Sequence, residues 1–223
     1  MRVTLTFDNG PTPGITEEVL DRLAARQLHA WFFLVGDRLA VPGARALAER
    51  TKAEGHRIGN HSMTHTVPLG LLPDAAASVA EITDAAAVLG DLVEPDCTFR
   101  PFGRGGRIGR HLLSPAAVDH LNARRYSVAL WSSVPRDWAD QGGWVETALV
   151  QMTGNPWPVV VMHDTRDACL AKLDNFLDEL ERLDADVTLD FPDDCLPIRH
   201  GVATTDLVPL TSAGTVAIQH SST

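Results

Sequence analysis

The chain has 223 residues, of which 44% are hydrophobic and 22% are charged, and these proportions are ordinary for a globular protein. The formal net charge is −10, which argues against binding to nucleic acid or to anionic lipid because both need a positive surface. The length suits one large α/β domain better than two small domains.

No stretch of the sequence predicts a leader or a membrane segment. The N-terminus lacks the basic and apolar regions of a secretory signal, and no apolar run approaches the roughly 20 residues of a membrane span. We therefore expect a cytoplasmic protein with no membrane partner. The cysteines, Cys97, Cys169 and Cys195, are far apart and form no CxxC motif. They indicate buried thiols rather than a disulfide framework or a thiolate zinc site.

Strand and helix patterns alternate along the chain. Residues 2–7 alternate apolar and polar side chains and are rich in β-branched residues, so they predict the first strand. Further strands are predicted at 29–35, 56–60, 97–102, 126–131, 158–162 and 186–189. Helices are predicted after Thr16 as an N-cap, at 42–54, at 74–89, from 114, at 143–152 and at 168–183. This alternation is typical of parallel βαβ construction, and about seven parallel strands favour a distorted (β/α) barrel over an open sheet.

A change of composition after Phe191 suggests where the domain ends. Pro, Asp, Thr, Ser and Gly become frequent there, with only scattered apolar residues. The sequence therefore predicts one domain over 1–190 and a C-terminal tail over 191–223 with little structure of its own.

Ionisable side chains stand where several predicted strands end. Asp8 follows the first strand and opens a turn of Asn, Gly and Pro, while His61 and His163 each end another strand. In a parallel barrel such positions meet at one rim, where catalytic groups are presented. Taken alone, Asp8 is better explained as an Asx turn that caps its own backbone, and only the other stretches favour a catalytic role. His61 and His65 are four residues apart, which on a helical turn lets both bind one metal ion, although surface or capping histidines also occur at this spacing.

Five stretches carry most of these residues. They are TFDNGP at 6–11, HSMTH at 61–65, RPFG at 100–103, WSSVPRDW at 131–138 and VVVMH at 159–163. In this order they resemble the motifs of the NodB-homology polysaccharide deacetylases, carbohydrate esterase family 4, whose first three motifs read TFDDGP, HSxxH and RPPYG. The resemblance implies the NodB-homology barrel and hydrolysis of an N-acetyl group on a carbohydrate.

The resemblance also implies roles for the acid–base residues. Asp8 is implied to be the general base that takes a proton from water, and Arg100 is implied to pair with it and hold it ionised. His163 is implied to protonate the leaving nitrogen. Asp137 is implied to orient His163 and to raise its pKa.

A metal site and a substrate pocket are implied in the same way. His61 and His65 are implied to bind a divalent metal, zinc in most of the family, that polarises the acetamide oxygen and the water. The backbone N–H near Phe102 is implied to be an oxyanion donor. Trp138 is implied to form the wall of the pocket for the acetyl methyl group.

Position 9 departs from the family pattern, in which a second aspartate completes an Asp-His-His triad. The carbonyl oxygen of Asn9 can still bind a metal, but it carries no charge, so we expect weaker binding. Three outcomes stay open: an active enzyme that binds metal more weakly, metal-free catalysis by Asp8, Arg100 and His163, or loss of catalysis. We favour an active enzyme because the acid and the base are intact.

The leading prediction is an enzyme that removes N-acetyl groups from an amino sugar, oligosaccharide or polysaccharide. The alternatives are a deformylase or another hydrolase of non-peptide C–N bonds in a small molecule, and a non-catalytic carbohydrate-binding protein. Arg104, Arg107 and Arg110 follow the third motif and could meet a phosphate or a carboxylate, with solvation as the default. The sequence predicts neither the sugar nor the oligomeric state.

Overall fold

The structure, a computed structural model, describes residues 1–94 and 97–213. Its strands are β1 (Arg2–Asp8), β2 (Trp31–Leu34), β3 (Arg57–Asn60), β4 (Thr98–Phe99), β5 (Ser127–Val128), β6 (Val159–His163), β7 (Asp186–Val187), β8 (Ile198–Arg199) and β9 (Val202–Ala203). Its helices are α1 (Thr16–Ala25), α2 (Ala44–Ala53), α3 (Ala75–Leu89), α4 (Pro115–Ala123), α5 (Trp144–Met152) and α6 (Leu173–Arg182). No helix in these described ranges combines the length and apolar character that crossing a bilayer requires.

The strands form one sheet in the order β6-β1-β2-β3-β4-β5-β8-β9, and β7 also pairs with β1. Every pairing among β1 to β7 is parallel. The sheet curls until the segment after β5 meets β6, where the amide of Val161 donates to the carbonyl of Ser133 at 2.9 Å. The predicted barrel of about seven parallel strands is therefore confirmed.

The two faces of β1 explain how the fold positions polar groups. Val3, Leu5 and Phe7 are buried in an apolar cluster with residues of α1, α5 and α6. Because successive side chains of a strand point to opposite faces, Thr6 and Asp8 lie together on the other face. The guanidinium of Arg100 contacts both of them, which places Asp8 at the carboxyl end of β1 inside the rim of the barrel.

The short length of β4 and β5 differs from the prediction and has local causes. β4 stops before Pro101, which has no N–H for the ladder. After β5 the backbone turns to the C-terminal segment, where the amide of Leu130 donates to the carbonyl of Cys195 at 2.8 Å. Thr16 is the first residue of α1 and does not cap it, so that prediction is wrong. Ser114 does cap α4 as predicted, accepting from the amide of Ala117 at 3.1 Å.

The C-terminal segment has more structure than its composition suggests. β8 pairs antiparallel with β5, and β9 pairs antiparallel with β8. Phe191, Leu196, Ile198 and Leu210 are buried in a second apolar cluster with Trp31 and other strand residues. Residues 191–213 thus extend the sheet and its core, in contrast to the expected tail, because several of their scattered apolar side chains face the barrel. Residues 214–223 of that predicted tail lie outside the described residues.

Candidate active site

A cavity of about 230 Å³ opens at the carboxyl ends of the parallel strands. Seven of the nine predicted site residues line it: Asp8, Asn9, His61, His65, Phe102, Trp138 and His163. The other two, Arg100 and Asp137, are fully buried directly behind Asp8 and His163. All nine are therefore gathered at one rim, as strand-end positions of a parallel barrel are expected to be.

Asp8 is buried and held by a buried cation. Nη1 of Arg100 donates to Oδ1 of Asp8 at 2.8 Å and to the hydroxyl of Thr6 at 2.6 Å. Nη2 of Arg100 donates to the carbonyl of Leu130 at 3.2 Å, and its guanidinium lies 3.9 Å from the ring centre of Phe33. Burial lowers the pKa of Arg100, against the opposing effect of the Asp8 charge. These contacts fix Oδ1 of Asp8 and leave Oδ2 directed toward His61, 3.6 Å from its Nε2.

His61 and His65 are both neutral and close to each other. Nδ1 of His61 lies 2.8 Å from the carbonyl of Arg100, and since a carbonyl only accepts, Nδ1 carries the proton and Nε2 has a free lone pair. Burial lowers the pKa of His61 to about 3. Burial and the neighbouring His61 lower the pKa of His65 to about 2. The two ring centres are 4.6 Å apart, and neutral imidazole is the form that binds metal.

The prediction that this pair sits on a helical turn is wrong. Residues 61–65 form an irregular loop after β3, and Ser62 and His65 have φ values of 70° and 53°. Hydrogen bonds hold the loop in place. The amide of Gly36 donates to the carbonyl of Ser62, and the amide of Thr64 donates to the carboxylate of Glu81 at 2.9 Å. The rings approach each other because the loop turns back on itself, and not through i,i+4 helical spacing.

Asn9 has the features of a third metal ligand. It has φ 77°, a left-handed conformation that Asn tolerates better than most residues. Its Oδ1 is buried and has no hydrogen-bond partner, which is costly for an amide oxygen in an otherwise well-bonded site. A divalent cation held by this oxygen and the two neutral imidazoles would satisfy it, so the donor set fits a metal. In the described ranges no group of three or more His, Cys, Asp or Glu side chains is arranged to hold a metal ion.

His163 and Asp137 form the second buried pair of the site. Nδ1 of His163 donates to Oδ1 of Asp137 at 2.8 Å, and the backbone amide of His163 donates to Oδ2 at the same distance. Burial lowers the pKa of His163, but the hydrogen bond and charge of Asp137 outweigh it, so the net pKa is raised. The ring of Trp138 stands edge-on to His163 with centres 4.6 Å apart. The arrangement leaves Nε2 of His163 as its free nitrogen.

The aromatic residues form the walls of the cavity. Phe102 contacts His65, with ring centres 3.9 Å apart, and Trp138 covers His163. Trp131 also lines the cavity, and its Nε1 donates to the carbonyl of Gly106 at 2.9 Å. The predicted roles of the Phe102 N–H and of Trp138 in binding the acetyl group stay predictions.

Asp164 and its surroundings are the main features that the sequence analysis missed. Its carboxylate is fully buried, accepts from the hydroxyl of Thr16 at 2.6 Å, and packs against Gly10 so closely that a Cβ there would lie 2.1 Å from its Oδ2. Burial raises the pKa of Asp164 to about 6. The signal that could have indicated it is its place directly after His163 at the end of β6.

Known proteins resemble this chain along most of its length. The polysaccharide deacetylase family model matches residues 1–110. A peptidoglycan-N-acetylglucosamine deacetylase of Bacillus cereus is 32% identical over 187 residues, covering 81% of this chain and 82% of the relative. A chitooligosaccharide deacetylase of a Bradyrhizobium species is 32% identical over 169 residues, covering 73% and 70%. The solved structure of the peptidoglycan deacetylase PdaC from Bacillus subtilis has a TM-score of 0.66 at 26% identity, covering 84% of this chain and 87% of PdaC. These similarities, together with the barrel and the five motifs at its rim, show that the chain belongs to the polysaccharide deacetylases of carbohydrate esterase family 4. It is a hydrolase of C–N bonds other than peptide bonds.

Proposed function

We propose that this protein removes N-acetyl groups from an amino sugar within an oligosaccharide or polysaccharide, and that a bound zinc ion assists. The observation that carries the proposal is the presence of two separate buried pairs, Asp8–Arg100 and His163–Asp137, at one cavity with three potential metal ligands. Amide hydrolysis needs both a proton acceptor for water and a proton donor for the leaving nitrogen. The two pairs supply one of each.

Asp8 acts as the general base. Its Oδ1 is held by Arg100, so Oδ2 is the oxygen available to take a proton from water. The resulting nucleophile adds to the acetamide carbon and gives a tetrahedral intermediate. An N–H donor at Phe102, on the wall of the cavity, stabilises the negative oxygen of this intermediate.

His163 acts as the general acid. Its Nδ1 is bound to Asp137, so Nε2 presents the proton to the departing nitrogen. Its raised pKa keeps the ring protonated at neutral pH more than an ordinary histidine. When the C–N bond breaks, the electron pair goes to nitrogen, which takes this proton, and the products are acetate and the free amine.

His61, His65 and Asn9 would hold the metal. When bound, a divalent cation supplies Lewis-acid polarisation of the acetamide oxygen and acidifies water. The two imidazoles are neutral, that of His61 is buried and that of His65 is half-buried, and the unpartnered Oδ1 of Asn9 would complete the donor set. The amide in place of a carboxylate lowers the total ligand charge, so zinc binds more weakly here than to two histidines and a carboxylate.

The substrate class rests on the relatives. Two of the relatives described above are named as deacetylases of peptidoglycan N-acetylglucosamine and of chitooligosaccharides, which share an acetamido group on a sugar. An N-acetylglucosamine-containing oligosaccharide is therefore the proposed substrate. A cytoplasmic location, expected from the sequence, stays a prediction.

Acetate release from N-acetylated chitooligosaccharides tests the proposal. Purified protein is assayed as isolated, after chelation, and after restoring zinc or cobalt. We expect release that chelation abolishes and metal restores. An N-formyl analogue of the same sugars, assayed in parallel with formate as the product, separates deacetylation from deformylation.

Variants at the two buried pairs separate an enzyme from a carbohydrate-binding protein. Asp8→Asn and His163→Ala should each lower kcat at least about 100-fold while the oligosaccharide still binds. The exposed Asp119→Asn serves as the matched control and should keep full activity. A folded wild-type protein that binds the oligosaccharide but releases no acetate under any metal would contradict the proposal.

A further inference from the structure

A second cavity, of about 560 Å³, opens beside the active-site cavity. It is lined by Leu71, Arg104, Gly105, Arg107, His111 and Arg136. Arg104 and Gly105 line both cavities, so the two spaces adjoin. The second volume lies within the range of about 300–1,000 Å³ that is common for ligand pockets. We call it the arginine cavity.

The charge of the arginine cavity is opposite to that of the whole protein. The net charge of the chain is −10, yet three guanidinium groups and no carboxylate line this space. In the described part of the chain Arg104, Arg107 and Arg136 form no ion pair, whereas Arg22 and Arg26 each bind two carboxylates. All three arginines are exposed, and like charges that line one cavity repel one another, so an anion bound among them would be favoured electrostatically.

The loop that carries Arg104 and Arg107 is built rigidly. Gly103 packs so tightly that a Cβ would lie 2.5 Å from the indole of Trp131, and at Gly106, where φ is 81°, a Cβ would lie 2.7 Å from Val134. Nε1 of Trp131 donates to the carbonyl of Gly106 at 2.9 Å. The same tryptophan lines the active-site cavity, so the loop's position is tied to that cavity. A loop anchored at Gly103 and Gly106 loses less backbone conformational entropy on binding a ligand than an unanchored loop does.

Arg136 connects the arginine cavity to the catalytic residues. Its guanidinium carbon lies 5.8 Å from the ring centre of Trp138, and Trp138 stands against His163. The next residue along the chain is Asp137, which binds His163. An anion held by Arg136 would therefore lie near Trp138, on the wall of the active-site cavity.

We propose that the arginine cavity is a subsite for an anionic substituent, a carboxylate or a phosphate, on the sugar next to or bearing the acetamido group. This inference rests on the proposed deacetylation and specifies further that the saccharide substrate is negatively charged. A guanidinium presents paired donors that match the oxygens of either group. The protein then prefers anionic N-acetylated saccharides over neutral ones, although its overall charge is negative.

The test compares three ligands of similar size. They are neutral diacetylchitobiose, its 6-phosphate, and the N-acetylglucosaminyl–N-acetylmuramic acid disaccharide, which carries a carboxylate. KM and kcat for acetate release and the dissociation constant by calorimetry are measured at 50 and 200 mM NaCl. We expect at least one anionic ligand to have a KM and a dissociation constant about tenfold lower than the neutral ligand, with a difference that shrinks at high salt. Which one is preferred identifies phosphate or carboxylate as the source of the charge.

Arginine variants assign the preference to this cavity. Arg136→Ala and Arg104→Ala should each narrow the ratio of anionic to neutral affinity about five- to tenfold, and Arg104→Lys should narrow it less. The matched control is Arg110→Ala, an exposed arginine that follows the same loop but does not line the cavity, and it should keep the wild-type ratio.

Equal affinity of the wild type for the neutral and anionic ligands would overturn the inference. It would also be overturned if Arg136→Ala and Arg110→Ala changed the ratio of anionic to neutral affinity by the same factor. Because binding is measured separately, the two proposals fail independently. Acetate release without an anion preference contradicts only the arginine cavity. An arginine-dependent anion preference in binding without acetate release contradicts only the proposed function.

Discussion

At the scale of single residues, we expect Asn9 to set how strongly a metal binds. Replacing Asn9 with Asp adds one negative charge at a buried oxygen that now lacks a partner. Asp tolerates the left-handed backbone of this position about as well as Asn does. We expect zinc affinity, measured by competition with a chelating dye, to rise about tenfold or more. The metal-free variant should also lose stability, because two adjacent carboxylates, at positions 8 and 9, repel each other.

The control for this prediction is the same chemical change at an exposed site. Asn175→Asp on α6 adds the same charge to the chain but lies outside the active-site cavity. It should leave the affinity for zinc unchanged. If Asn9→Asp binds zinc no more tightly than Asn175→Asp, the amide oxygen of Asn9 is not a ligand.

Asp137 should set the pH range in which His163 works. The raised pKa of His163 extends its protonated, proton-donating form to higher pH, so activity falls only as pH rises through that value. Asp137→Asn removes the charge that raises this pKa. The fall of kcat/KM on the alkaline side should then move to lower pH, along with a lower maximum. An alkaline limb that does not move in Asp137→Asn would show that another group is the acid.

At the scale of secondary-structure elements, the site depends on close packing between the ends of β1 and β6. The two strands are in parallel register, with Asp8 opposite His163, and Gly10 contacts the carboxylate of Asp164. Gly10→Ala would force the two loops apart, which should cost about 1–3 kcal/mol of unfolding free energy and lower kcat. Gly142→Ala is the matched control, because its nearest neighbour would be 3.7 Å away.

A double variant tests the cause of this effect. Replacing Asp164 with Ala removes the atoms that the new methyl group would meet. Gly10→Ala should therefore cost much less stability in the Asp164→Ala background, as chemical denaturation can measure. Independent, additive costs would mean that the strain at Gly10 arises elsewhere.

The elements also show what local sequence can and cannot predict. The strands that carry Asp8 and His163 were predictable because an alternating or continuous apolar run ends at a polar residue. The loop of His61 and His65 was not, because spacing alone does not distinguish a helical turn from the left-handed φ of Ser62 and His65. No sequence pattern around Asp164 predicts that its carboxylate is buried. Its partner is Thr16, 148 residues away, and such pairs appear only when the barrel closes.

At the scale of the whole molecule, the C-terminal segment supports the wall of the active site. The carbonyl of Cys195 accepts from the amide of Leu130, whose own carbonyl accepts from the guanidinium of Arg100. The composition of 191–223 could not predict this connection, because short strands with few apolar residues resemble a loop until their partner strand is known. The apolar side chains of the segment nevertheless complete the second cluster of the core.

Ile198 tests whether this segment belongs to the cooperative unit. Ile198 is fully buried where β8 pairs with β5, whereas Val202 on the neighbouring β9 is 65% exposed. Ile198→Ala should lower the unfolding free energy by about 2–4 kcal/mol, because it opens a cavity where β8 packs against β5. The same cavity should speed hydrogen exchange at the Leu130 amide, which donates to the nearby carbonyl of Cys195. Val202→Ala should change stability by less than about 0.5 kcal/mol. Similar small effects of both substitutions in urea denaturation would mean that the segment folds apart from the barrel and that a domain boundary near residue 190 is real.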